Sequence, residues 1–149
     1  MSVFQIFVSS FLLVNLVVFF LALNQSRVKQ NAFGLTRLLT PLGSFVWGDA
    51  VIFSIFWMAA SIVVFFLNSS TLFALIFSVF WAVRGLGESI YWFNQQFSAI
   101  IRNPPKTLLG YSLFKNDSIW FVYQICWQCV MVISIIASIY FAHLWLRTI

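Results

Sequence analysis

Residues 71–101, TLFALIFSVFWAVRGLGESIYWFNQQFSAII, decide the fold. Apart from Arg84 and Glu88 the stretch has no charged residue, and most of its positions are aliphatic or aromatic. A bilayer is crossed by about 20 apolar residues, so as one helix this run crosses it and either tilts or projects beyond it. The two charges then sit at bilayer depth, where each costs about 2.5–3.5 kcal/mol on insertion scales; such residues mark a functional site by default.

The rest of the chain has the same character. It is 62% hydrophobic and 7% charged, against roughly 25% charged in an ordinary soluble domain, and a mean hydropathy of +1.00 leaves no room for one. Three further apolar runs cover Val3–Leu23, about Phe45–Leu67 and about Ser118–Leu146. The expected fold class is therefore all-α: a polytopic membrane protein with four transmembrane helices in an antiparallel bundle. Residues 1–149 form a single membrane domain, with spans at about 3–23, 45–67, 71–101 and 118–146. The first run has no basic n-region and exceeds the usual length of a signal sequence's apolar core, so it reads as a retained span.

Local signals refine the boundaries. Thr40-Pro41 has the form of an N-cap followed by proline at the first helical position, which favours an earlier start for the second span. Spans two and three are separated only by Asn68-Ser69-Ser70, with Thr71 as the expected cap of a tight helical hairpin. Asn103-Pro104-Pro105 terminates the third span by removing backbone donors, and Asn116-Asp117-Ser118 caps the fourth. Within the first long loop, Leu35–Leu42 suits the membrane interface, with Phe33, Leu35, Leu38 and Leu39 towards lipid and Arg37 towards water.

Charge sets the orientation. Arg27, Lys29, Arg37, Arg102, Lys106 and Lys115 all fall in the loops Asn24–Ser44 and Arg102–Asp117, which four spans place on one side; Arg147 lies on the other. The positive-inside rule puts both long basic loops in the cytoplasm and both termini opposite, N-out and C-out. The basic balance does not point to nucleic acid, because the cations punctuate the ends of apolar runs; anionic lipid is the partner they suit.

On the third helix Trp81, Arg84, Glu88, Tyr91 and Gln95 recur every three or four residues and share a face, beside small residues at Ser78, Ala82, Gly85 and Ser89. At 1.5 Å per residue, Glu88 lies ~18 Å from the cytoplasmic end, Gln128 ~15 Å, and Asn15 and Ser54 ~13 Å. Tyr91, Gln95 and Gln124 form a layer nearer the cytoplasm. Together, Arg84, Glu88, Tyr91, Gln95, Asn15, Gln124 and Gln128 are the candidate ligand- or ion-binding residues. Arginine stays protonated and can hold an anion bidentately, while Glu88 could titrate. The plainer account is a buried Arg–Glu pair that, with Asn15 and Gln128, fixes helix register.

Cys126-Trp127-Gln128-Cys129 is a CxxC that thiol–quinone chemistry could use, but it lies beyond the capping turn that would lower a thiol pKa. A second pair to relay electrons is missing, and cysteine serves membrane helices as a small apolar residue. No Gly-rich phosphate loop, nucleophile elbow, HExxH or zinc spacing is present, and His143 is the lone histidine. The sequence thus names no cofactor. It reads as a non-enzymatic membrane protein that binds or transports an ion or a small or anionic ligand at a buried polar site on helix three. The alternatives are an accessory or assembly subunit of a larger membrane complex, or a membrane thiol/quinone oxidoreductase through Cys126 and Cys129. Four spans enclose little interior, so a solute path calls for a homo-oligomer or a larger complex.

Overall fold

A computed structural model describes residues 1–148. It is all-helical: α1 (Val3–Leu23), α2 (Trp47–Leu67), α3 (Ser70–Phe97), the single turn α4 (Tyr111–Phe114) and α5 (Ser118–Leu146). No strand occurs among the described residues, only an isolated bridge between Leu35 and Val46. The helices α1, α2, α3 and α5 are long and apolar enough to cross a membrane, the signature of a multi-pass membrane protein. The chain divides into two compact units, Met1–Ile76 and Phe77–Ile149, the division falling within α3.

In the first unit, α1 starts with a capping box: Gln5 N donates to the Ser2 hydroxyl (3.1 Å) and Ser2 N to the Gln5 side chain (2.9 Å). The helix runs on as a π-turn through Asn24–Val28, where the Lys29 N–H reaches back to Asn24 O. The start of α1 lies against the end of α2, since the Ser2 hydroxyl donates to Asn68 Oδ1 (2.9 Å). At the other end Val18 and Ala22 pack on Ala50, with Leu39, Trp47 and Val51 around them. Lipid supplies no hydrophobic drive between helices, so close packing must hold them. The buried stripe of α2 is accordingly rich in small residues: Ala50, Ser54, Trp57, Ala60, Ser61 and Val64. The Ser54 and Ser61 hydroxyls donate one turn back, to Ala50 O and Trp57 O, and so need no partner on another helix. Phe73 of α3 meets Phe7 and Phe11 edge-on, each with ring centroids 5.7 Å away.

Thr40-Pro41 does not start the second span. Both residues lie in a 3₁₀ helix over Arg37–Leu42, and the Thr40 hydroxyl donates to Arg37 O (2.8 Å). Gly43 then turns the chain at φ 76°, a conformation glycine adopts without strain, and α2 begins at Trp47. The hairpin cap is also shifted: the Leu72 N–H donates to the Ser69 hydroxyl (3.2 Å), so Ser69 rather than Thr71 caps α3. The third span ends at Phe97, four residues before Ile101. The helix α5 covers Ser118–Leu146.

In the second unit, the α3 face carrying Gly85, Ser89 and Trp92 is buried, and an added Cβ at Gly85 would stand 3.0 Å from Met131 N of α5. The core is aromatic: Trp92, Ile119 and Trp120, ringed by Tyr91, Leu108, Tyr111, Tyr123 and Trp127. Trp81 stacks on Trp127 with a centroid separation of 6.2 Å and an interplanar angle of 7°.

Candidate functional site

The helical period brings Arg84 and Glu88 one turn apart, and their side chains pair at 2.9 Å between Nη2 and Oε1. The other carboxylate oxygen, Oε2, accepts the Trp92 indole N–H at 3.2 Å. Arg84 lies fourteen residues into α3, ~21 Å from its start and close to its middle. The expectation of a buried pair is corrected: the two side chains keep 16% and 14% of their accessible surface. On α3 they stand next to Gly85 and Ser89, whose face is the buried one, so the charges occupy its border rather than its centre.

The lower part of the stripe has a different task. Gln95, 4% exposed, donates through Nε2 to Ile100 O (3.1 Å) and accepts at Oε1 from the Arg102 N–H (3.2 Å). It thereby satisfies backbone groups just past the end of α3, where a helix leaves carbonyls without intrahelical partners. The Tyr91 hydroxyl accepts from Asn103 Nδ2, and the Trp120 indole donates to Asn103 O (2.9 Å). Gln124 Oε1 accepts from Gln96 Nε2 (2.7 Å), joining α5 to α3, and the Tyr123 hydroxyl donates to Leu109 O (3.1 Å). Tyr91 and Gln95 are thus brought together as a clamp on the loop that begins at Ser98, while Gln124 ties α5 to α3. Asn103 and Trp120 belong to the same clamp and Gln96 to the tie between the helices, and none of the three is among the sequence candidates. The pertinent signal was the Asn103-Pro104-Pro105 stop: a chain leaving a buried helix end needs donors and acceptors close by.

The remaining candidates, Gln128 and Asn15, belong to different units. Gln128 is partly exposed and lines a depression of about 330 Å³ along α5, with Ile125, Cys129, Val132 and Ile133. Asn15, in the first unit, is fully buried; its Nδ2 donates to Phe11 O (2.8 Å), while Oδ1 has no hydrogen-bond partner among the described residues. Near it in sequence, Val8, Ser9, Leu12 and Leu13 face Ser61, Ile62, Phe65 and Phe66 across an apolar groove of about 310 Å³. Neither depression is lined by Arg84 or Glu88. Cys126 and Cys129 are both unbonded thiols exposed on α5. His143 is exposed near the end of α5.

Chemically, the Arg84–Glu88–Trp92 group is a fixed ion pair with some open surface at the middle of a membrane-length helix. It can meet a polar or charged group arriving from outside the unit. No family model, curated protein or solved structure matches the chain.

Proposed function

We propose that this chain is a non-catalytic, multi-pass membrane protein whose Arg84–Glu88 pair is a recognition point for a polar or anionic group within the bilayer. The observation that carries this reading is the residual exposure of the pair, 16% and 14%, midway along a helix otherwise suited to lipid. A partly exposed ion pair at that depth is stabilised by polar company rather than by acyl chains. The guanidinium supplies planar, permanently charged donors suited to carboxylate or phosphate oxygens. Glu88, tied to both Arg84 and Trp92, holds that guanidinium in place.

A second reading, an accessory subunit of a larger membrane complex, draws on α5. Only 6% of its apolar stretch is buried within the chain, against 33% for α2. The polar Gln128 is partly exposed there among aliphatic neighbours. A partner helix would cover that face and give the amide a hydrogen bond. In both readings the basic loops face the cytoplasm, an orientation that the distribution of lysine and arginine supports.

The double variant Arg84→Glu/Glu88→Arg tests the recognition role. It keeps an ion pair at i and i+4 but exchanges the positions of the charges. Native mass spectrometry of protein released from lipid nanodiscs should find a bound anionic mass on the wild type that is lost from the folded double variant. Retention of that mass, or a wild type carrying none, overturns the reading; a co-purifying membrane polypeptide instead favours the subunit alternative.

A further inference from the structure

We propose that the loop joining α1 to α2 is a built anionic-lipid anchor, inserted at the headgroup boundary of the leaflet it faces. Its apolar side chains point outward: Phe33 is 84% exposed, Leu35 71% and Leu38 94%. A loose loop would bury such side chains by folding back, but this loop is held in place. The Thr36 N–H donates to Phe45 O (2.9 Å) and its buried hydroxyl to Ser44 O (2.9 Å). Trp47 N donates to Gly34 O (3.1 Å) and Gly48 N to Ala32 O (2.8 Å), which fastens the strand of chain before Thr36 to the first turn of α2. The fully buried Trp57 donates its indole N–H to Leu42 O (3.1 Å). Phe33, Leu35 and Leu38 are therefore presented by a rigid frame.

Charge complementarity identifies the occupant. Arg27, Lys29 and Arg37 are all exposed on the same segment, and residues 24–46 contain no acidic side chain. The loop leaves the end of one membrane-length helix and enters the start of the next, which places it at the bilayer boundary. Exposed apolar side chains interleaved with cations are the chemistry of an interfacial segment: the apolar groups enter the acyl boundary and the cations meet lipid phosphates. The loop of the second unit repeats the combination, with Leu109 88% and Leu113 81% exposed beside exposed Arg102, Lys106 and Lys115. The anchor is independent of the Arg84–Glu88 reading.

The test uses the full chain reconstituted in phosphatidylcholine vesicles containing a minority of phosphatidylglycerol. Leu38→Cys, in a Cys126→Ala/Cys129→Ala background, is labelled with an environment-sensitive fluorophore. Acyl-brominated lipids of each headgroup then serve as quenchers. Leu38 is nearly fully exposed, so the label disturbs no packing. The expected result is quenching by both lipids, with brominated phosphatidylglycerol about threefold more effective than its mole fraction predicts. That excess should vanish in Arg27→Gln/Lys29→Gln/Arg37→Gln while quenching by brominated phosphatidylcholine persists, which also reports that the loop remains folded. Water-like emission with no quenching overturns the anchor. Equal quenching by the two headgroups overturns its anionic selectivity.

Discussion

The two units hold their loops by opposite means. In Met1–Ile76 the loop is fastened chiefly by its own backbone: Thr36 to Phe45, Trp47 to Gly34 and Gly48 to Ala32. In Phe77–Ile149 the loop is fastened by side chains that reach out of the long helices, from Tyr91, Gln95, Trp120 and Tyr123. The helix contacts differ in parallel. The first unit packs small and aliphatic residues, with serines bonded back to their own helix. The second packs tryptophan and tyrosine around polar bonds that cross from α3 to the loop and to α5. Polar residues in a membrane helix therefore need not signal a ligand. When they lie within two turns of a helix end, the backbone emerging there can already claim them.

The contrast is broken most severely at Gly85. A Cβ there stands 3.0 Å from Met131 N and 3.1 Å from Met131 Cα, both backbone atoms that no rotamer change can move. Gly85→Leu should destabilise the second unit by about 3 kcal/mol, the upper end of overpacking costs. Titration with denaturing detergent, followed by the near-ultraviolet dichroism of the stacked Trp81 and Trp127, measures it. An unchanged midpoint would mean that close approach at Gly85 contributes nothing.

The next effect separates the two kinds of fastening. Gln95→Ala removes a donor and an acceptor at once and leaves Ile100 O and Arg102 N to find water, at a cost of about 2 kcal/mol felt locally. Amide exchange should quicken at Arg102 and its neighbours. Thr36→Val, the counterpart in the first unit, should cost only about 1 kcal/mol, because the Thr36 N–H to Phe45 O bond survives it. Equal acceleration of exchange in both loops would erase the distinction.

These differences explain what could be read from the residues. Composition and the length of the apolar runs suffice for four membrane-length helices, since few other structures can hold such a chain. The start of α5 was legible because Asn116 lies beside it and accepts from the Ser118 N–H (3.0 Å). The end of α3 was not. Gln95 draws the chain out of helix by bonding to Ile100 and Arg102, well before the prolines at 104 and 105. Thr40-Pro41 misled because a threonine before proline fits a 3₁₀ turn as well as an N-cap. The polar stripe of α3 was visible as spacing, but spacing is the same for a glutamine facing a ligand and one facing a loop carbonyl. Arg84 and Glu88 lie more than two turns from either end of the helix, so a helix-end role does not account for them. The backbone fastening of the first loop had no side-chain signature beyond Thr36 and Trp57.

The smallest expected effect lies two residues from the largest. Gly87 shares α3 with Gly85, but a Cβ added to it meets nothing within 4 Å. Gly87→Ala therefore neither displaces a neighbour nor fills a gap. It changes only backbone freedom, which favours alanine in a helix by up to about 1 kcal/mol in water. Inside a bilayer the hydrogen-bonded backbone has little freedom left to lose, so the gain should shrink to within about 0.5 kcal/mol of zero, the usual range for a change that touches nothing. Measured by the same detergent titration, Gly87→Ala should leave the midpoint nearly in place while Gly85→Ala lowers it. If Gly87→Ala instead destabilises strongly, the open side of α3 is covered by something other than lipid, and a partner there becomes the first thing to seek.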